Sequence, residues 1–214
     1  MIARLLRTAT MVAVSCAFAV APSGVHAQQQ AAAETPQAVI EKLGVVMIDT
    51  MRNAKQLAYT GRFQKLAPEI VSAFDLPRMV SIAVGGAWKS TTPDQQQRLV
   101  DAFARYMVAV HASRLDGYAG EAFKVGAGEP LQNGLTRVKA QFVRTSGSTE
   151  NIDYVMQNNA GKWQIVDVFY RSAISEVATR RSEYTAVIKD SGVEKLIAKM
   201  DEKTAELGQK TSTN

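Results

Sequence analysis

The stretch at residues 84–92 contains the residue types of a phosphate-binding loop. It reads VGGAWKSTT, in which a glycine pair precedes Lys89 and Ser90, as at the end of the motif G-x-x-x-x-G-K-[ST]. Such a loop needs a buried strand before it, a glycine directly before the lysine and a helix directly after it. Here the preceding pattern is helical, Trp88 stands in place of the glycine, and Pro93 delays the next helix. We therefore interpret the match as coincidental.

A second group that could do chemistry is His111, which follows Val110 on a helical stretch. A lone histidine can act as a general base, but no motif places a nucleophile beside it. The sequence has no Cys-His or His-x-x-x-His spacing, so it predicts no transition-metal site. Asp75, Asp94 and Asp116 stand at caps and turns, where carboxylates usually have structural roles. The sequence thus predicts no enzyme, catalytic residue, metal or cofactor, and a hydrolase or isomerase using His111 is the third hypothesis.

The first 27 residues have the order of a secretory signal peptide. Arg4 and Arg7 come first, an apolar run follows, and a small-residue site ends at Ala27, where we expect cleavage. Acylation of Cys16, as in a lipoprotein, is the less favoured alternative. Removal of this segment leaves 187 residues, takes away the only cysteine and lowers the net charge from +5 to +3. We therefore expect an exported chain without disulfides.

The remaining length suits one domain with a core large enough to be stable alone. A net charge of +3 is too small to favour nucleic acid, but it is compatible with transient contact with anionic lipid head groups. No other stretch is long and apolar enough to cross a membrane. We expect a disordered leader at residues 28–34, a single domain at residues 35–207, a disordered tail at residues 208–214, and a monomer.

The first half of this domain has helical periodicity. Thr35 caps a helix whose apolar spacing continues to residues 59–61, and a second, short helix covers residues 63–74. Asp75 caps a third helix, which the glycine pair at residues 85–86 ends. The fourth helix has the clearest start, a capping box at TTPDQ followed by an apolar stripe.

Strand periodicity follows, in the stretches FKVGAG, LTRVKAQFVR, ENIDYVMQNN and GKWQIVDVFYR. The tight turns between them predict an antiparallel meander. Helical spacing returns near Ala173, with a break at residues 191–192. The predicted fold class is α+β, with helices packed on one face of a curled antiparallel sheet of four to five strands.

The order and spacing of these motifs are similar to those of a known family. A first block joins Phe-Asp, a short helix, Gly-x-x-Trp, Thr-Pro-x-Gln and an amphipathic helix that ends in aromatic residues. It matches at Phe74, Asp75, Gly85, Trp88, Thr92, Pro93, Gln95, Phe103 and Tyr106. A late hairpin matches at Tyr154, Met156, Gly161, Trp163, Asp167 and Val168. From about residue 35 to residue 207 the chain resembles the MlaC or toluene-tolerance family, the periplasmic auxiliary components of lipid-transport ABC systems.

The resemblance implies a periplasmic shuttle that carries phospholipid or hopanoid between membrane complexes, including an inner-membrane ABC-type or hopanoid transport complex. Members of the family keep an apolar cavity between sheet and helices that receives acyl chains. The candidate lipid-binding residues are then the apolar residues expected to face inward: Met79, Ile82, Val84, Trp88, Phe103, Tyr106, Met107, Val110, Val138, Ala140, Phe142, Ile152, Tyr154, Met156, Trp163, Ile165 and Val168. Composition alone would explain the same residues as an ordinary core.

One departure from the family pattern concerns the ligand. Phospholipid carriers have a Val-x-Gly-Val-Ser turn after the last strand, whereas this chain has VFYRSAISEVATRRSEYTAVI. The stretch at residues 175–184 resembles the hopanoid-associated HpnM branch, so phospholipid, hopanoid and another apolar lipid stay open. The second hypothesis is an assembly or interaction factor of the same fold with a filled core and no lipid cargo, acting through Arg171, Arg180 and Arg181.

Overall fold

The computed structural model describes residues 34–212, with side chains up to residue 209. The predicted signal peptide, and all of the predicted leader except Glu34, lie outside the described residues. The elements in chain order are α1 (Pro36–Arg52), α2 (Ala54–Ala73), α3 (Leu76–Val84), a 3₁₀ helix (Gly85–Ser90), α4 (Pro93–Arg114), β1 (Ala122–Pro130), a 3₁₀ turn (Gln132–Gly134), β2 (Leu135–Val143), β3 (Thr149–Asn159), β4 (Lys162–Tyr170), β5 (Ile174–Ser175) and α5 (Glu176–Ser212).

Three of the predicted helix starts, those of α1, α3 and α4, are confirmed, whereas the second helix begins at Ala54 and not at residue 63. The side chains of Thr35 and Asp75 each accept a hydrogen bond from a backbone N–H in the first turn of their helix. At the start of α4, Thr92 and Gln95 exchange side-chain and backbone hydrogen bonds, which is the predicted capping box. Gly85 ends α3 with a φ of 61°, a conformation that glycine adopts without strain. These local signals fix where α3 and α4 present their apolar faces.

The junction between α1 and α2 differs from the sequence prediction. α1 ends at Arg52, not near residues 59–61, and Asn53 separates it from α2. α2 is interrupted at Ala58, whose φ of 50° and ψ of −169° are not helical. Apolar spacing continues across both points and no glycine or proline marks them, so the pattern alone indicates one uninterrupted helix.

The last helix, α5, is long and broken once. Gly192 has a φ of 80° and a ψ of 175°, which confirms the predicted break. Beyond it the helix continues to Ser212, whereas the sequence predicts a disordered tail from residue 208. A Cβ atom at Gly208 would lie 3.1 Å from Cε1 of Tyr59. This turn of α5 therefore packs against α2, a contact that the polar sequence GQKTSTN does not indicate.

The five strands form an open antiparallel sheet in the order β1-β2-β3-β4-β5. Val138 pairs with Tyr154, and Tyr154 pairs with Val168. These three side chains are buried, whereas Lys139 and Gln141 on the other face of β2 are exposed. The helices thus pack on the apolar face of the sheet, and the predicted α+β class is confirmed.

The core between the layers is one continuous apolar cluster to which all five helices contribute. Its largest fully buried members include Ile40, Leu43, Leu66, Ile70, Leu99, Met156, Ile165 and Leu196. Within residues 34–212, none of the helices combines the length and the apolar character that a membrane span requires.

Candidate functional site: a cavity between sheet and helices

A cavity of about 430 Å³ lies between the apolar face of the sheet, the C-terminal half of α4 and the first turns of α5. This volume falls within the range of small-molecule binding sites in proteins, about 300–1,000 Å³. Most of its lining side chains are apolar or aromatic, and the remainder are charged or imidazole groups. The site therefore combines an apolar wall with a small set of polar groups.

Nine of the predicted lipid-binding residues line this cavity. They come from α3, α4 and the three central strands, which the fold brings together across the core. They are Met79, Phe103, Tyr106, Met107, Val110, Phe142, Ile152, Tyr154 and Val168. Their position in the wall is a finding, and their contact with lipid stays a prediction.

The other eight predicted residues do not line the cavity. Ile82 is wrong because it faces outward from α3, with 39% of its surface exposed. Trp88 and Trp163 are half-buried at the margin of the core. The remaining five are buried elsewhere in the core, because alternation along a strand predicts the face but not the depth: Val84, Val138, Ala140, Met156 and Ile165.

The wall also contains apolar residues that the sequence prediction missed. Met47 and Met51 project from α1, four residues apart and in line with the buried Leu43. Phe74 and Leu115 directly follow α2 and α4, and Tyr170 is the last residue of β4. The spacing 43-47-51 is a helical repeat that could have identified the two methionines.

Four methionines contribute to the wall: Met47, Met51, Met79 and Met107. The methionine side chain is unbranched and polarizable, so it fills irregular spaces and adapts to ligands of different shape. A wall of this composition can hold flexible apolar chains without a fixed template.

The charged lining residues gather at one end of the sheet. Arg144 follows β2, and Glu150 near the start of β3 pairs in register with Phe142. Tyr170 ends β4 opposite Ile152. Because adjacent antiparallel strands run in opposite directions, the end of β2, the start of β3 and the end of β4 lie side by side at one end of the sheet. We call the polar lining residues at this end of the sheet the polar rim. They are Arg114, Arg144, Glu150, Tyr170, Glu176 and Arg180.

Arg180 links α5 to α4 across this rim. Its guanidinium group donates to Glu176 at 2.7 and 2.8 Å and to Glu183 at 3.0 Å. It also lies over the ring of Tyr106, 5.1 Å from the ring centroid. Burial is the largest single effect and opposes its charged form, but Glu176, Tyr184 and Tyr106 together outweigh burial, so the pKa of Arg180 is raised. Its charge is therefore permanent and already compensated.

His111 lies half-buried in the cavity wall, and its Nδ1 atom is 2.8 Å from the carbonyl oxygen of Met107. Burial lowers its pKa, the bond to Met107 opposes that effect, and the positive charge of Arg114 adds to the lowering. The imidazole is therefore neutral at neutral pH, and its Nδ1–H group donates a hydrogen bond to the backbone carbonyl of Met107. This partner fixes the ring in place, and it is not a nucleophile that the ring could activate.

Two of the three lining tyrosines, Tyr154 and Tyr170, keep their protons. Burial is the main cause that raises the pKa of each phenol above its ordinary value. Both side chains therefore present neutral hydroxyl groups, which can donate and accept hydrogen bonds.

The glycine-rich stretch at residues 84–92 does not form a phosphate-binding loop. Gly85–Ser90 form a 3₁₀ helix after a helix, with no strand before them, so the interpretation against a phosphate loop is confirmed. Among the described residues, no three His, Cys, Asp or Glu side chains come together as a metal site would require.

The arrangement is similar to that of known proteins. A phospholipid-binding protein from Ralstonia solanacearum, solved in complex with a phospholipid, superposes with a TM-score of 0.71 over 81% of this chain and 99% of that chain, at 22% identity. This likeness shows the shared fold.

The intermembrane phospholipid transport system binding protein MlaC of Haemophilus influenzae is 18% identical over 130 residues, which cover 59% of this chain and 60% of that relative. The match thus spans less than two thirds of the relative. The family model described as MlaC protein matches residues 41–202, well over half of the sequence. The chain therefore belongs to the MlaC family.

Proposed function

We propose that this protein holds a phospholipid with its acyl chains in the cavity and carries it between membranes. The observation on which the proposal depends is the cavity of about 430 Å³, which has an apolar wall and a polar rim at one end. The names of the Haemophilus relative and of the Ralstonia structure, both phospholipid-associated, support the choice of ligand.

The energetics of such a carrier favour exchange over capture. Burial of one CH₂ group contributes about 0.8 kcal/mol, so two acyl chains with about thirty such groups represent roughly 25 kcal/mol relative to water. A bilayer already provides this free energy. Burial in the cavity therefore stabilises the acyl chains about as much as burial in the bilayer does. Net extraction of a lipid from the membrane requires partner complexes or coupled energy. No bond needs to be made or broken.

The proposal includes the periplasm as location and membrane transport complexes as partners. It is supported by the signal-peptide pattern at residues 1–27 and by membership of the MlaC family. An inner-membrane ABC-type complex is the proposed partner, with transient membrane contact and a monomeric carrier. The HpnM-like stretch at residues 175–184 leaves hopanoid as the alternative cargo, and the first turns of α5 that it forms contribute Glu176 and Arg180 to the rim.

The test is to purify the mature protein from its native cells without denaturation and to identify co-purifying lipid by mass spectrometry. We expect about one phospholipid per chain. Stoichiometric hopanoid would keep the carrier and change its cargo. Stable protein that is empty and takes up no labelled lipid would overturn the proposal and favour the assembly factor with a filled core.

A further inference from the structure

The polar rim contains three arginines, and two of them are already paired. Arg180 is held by Glu176 and Glu183. Arg144 lies 3.4 Å from Glu150 and over the ring of Phe142. Arg114, at the C-terminal end of α4, has no hydrogen-bond or ion-pair partner among the side chains described for residues 34–209. Among the described residues, one positive charge at the rim is therefore uncompensated.

The phenol of Tyr170 lies among these charges. Its pKa is raised mainly by burial, but it also responds to Glu176, Arg114, Glu150 and Arg180. Tyr170 and these four charged groups line the same cavity. A polar group bound at the rim would lie near the neutral hydroxyl of Tyr170 and the guanidinium of Arg114, for which residues 34–209 provide no side-chain partner.

We propose that Arg114, assisted by the hydroxyl of Tyr170, binds the phosphodiester of the lipid carried in the cavity. This inference rests on the proposed function. A guanidinium group presents a planar pair of N–H donors that matches two phosphate oxygens, and such charge-assisted bonds are stronger than neutral ones. The carboxylates of Glu150 and Glu176 would repel a phosphate, but Arg144 and Arg180 compensate them.

The position of Arg114 fits this role because the rim adjoins the apolar wall. Leu115, the next residue, is buried and lines the cavity, whereas Arg114 itself is exposed. A lipid with its chains against Met107 and Leu115 would leave its polar group at the rim. The cavity would then select lipids that carry a phosphodiester over neutral lipids with the same chains.

The experiment measures binding of two short-chain lipids to the purified, delipidated protein. Dihexanoyl phosphatidylglycerol and dihexanoylglycerol share their acyl chains and differ in the phosphoglycerol head group, which carries the phosphodiester and its charge. We expect Arg114→Gln to weaken binding of phosphatidylglycerol about tenfold or more, the effect of losing a hydrogen bond to a charged group, and to leave binding of dihexanoylglycerol unchanged. Tyr170→Phe should weaken phosphatidylglycerol binding by a smaller factor.

Two variants control for charge and for position. Arg171→Gln removes the same charge from an exposed residue that lines a neighbouring surface groove but not the cavity, and it should bind both lipids as the wild type does. Arg114→Lys keeps the charge without the planar fork and should restore part of the affinity for phosphatidylglycerol.

Three outcomes would overturn the inference. Equal loss of both lipids in Arg114→Gln would mean that Arg114 supports the wall and not the phosphodiester. Equal weakening in Arg171→Gln would indicate a general effect of charge. Displacement of phosphatidylglycerol by inorganic phosphate at the same concentration would assign the site to a free anion. Wild-type protein that binds neither lipid would instead refute the proposed function itself.

Discussion

Val110 is a small apolar side chain in the cavity wall, on the same face of α4 as Phe103 and Met107. Replacement by tryptophan would place a large ring in the space that the acyl chains need. We expect Val110→Trp to lose most of its co-purifying lipid, while its melting temperature changes little because the ring enters open volume and not packed core. Native mass spectrometry measures the lipid bound per chain.

The matched control is Val45→Trp, which makes the same substitution on α1 at a position that is 68% exposed. It should carry lipid as the wild type does. Normal lipid content in Val110→Trp would show that the cavity is not the lipid site.

His111 is expected to make the protein less stable in acid. Burial is the main cause that lowers its pKa below the ordinary value of 6.5, so the unfolded chain binds the proton more tightly than the folded chain. Its contribution is fully present above about pH 6.5 and is lost as the pH falls below that value. Urea unfolding at about pH 7.5 and about pH 5.5 measures this loss, which should be smaller in His111→Gln. An identical pH dependence in the variant would contradict it.

Single residues of the site could be predicted only in part from the sequence. Phe103, Met107 and Val110 were identified because they repeat along one face of α4, and that face does line the cavity. Ile165 was assigned to the cavity because alternation cannot distinguish a filled core from a void beside it. Arg114 was missed because a search for apolar residues cannot find the polar rim, which forms only when distant strand ends and helix ends meet.

At the scale of elements, a buried arginine joins α2 to the end of α4. Arg62 is 4% exposed, and it donates to the carbonyl of Ala112 at 2.9 Å and to that of Ala54 at 3.0 Å. Arg62→Met would leave both carbonyls without this donor. We expect the free energy of unfolding to fall by about 2–4 kcal/mol, measured by urea denaturation.

Lys65→Met is the control for Arg62→Met, because Lys65 lies one turn along the same helix and forms a partly exposed ion pair with Asp49. Loss of such a pair costs about 0–1 kcal/mol. Equal destabilisation of the two variants would mean that the carbonyl bonds of Arg62 contribute no more than a surface contact.

Helix ends could be predicted where a side chain determines them. Thr92 and Gln95 start α4 through local hydrogen bonds. Gly85 ends α3 through its backbone preference, and both signals can be read directly from the sequence. The kink at Ala58 has no such cause in its own sequence. Nearby, Arg62 connects this part of α2 to α4, a tertiary contact fifty residues distant that no local pattern reveals.

At the scale of the whole molecule, acyl chains have about the same free energy in the cavity as in a bilayer. This equality predicts that lipid transfer has no preferred direction. The purified protein should equalise a labelled phospholipid between donor and acceptor vesicles of the same composition, because burial in the cavity and in either bilayer contributes about 0.8 kcal/mol per CH₂ group. Fluorescence dequenching measures the rate, which should rise in proportion to protein concentration and fall to the spontaneous rate in Val110→Trp. Transfer that stays at the spontaneous rate with wild-type protein would mean that the chain cannot exchange lipid with a membrane unless a partner complex opens it. Equal transfer by the wild type and Val110→Trp would place the exchanging lipid outside the cavity.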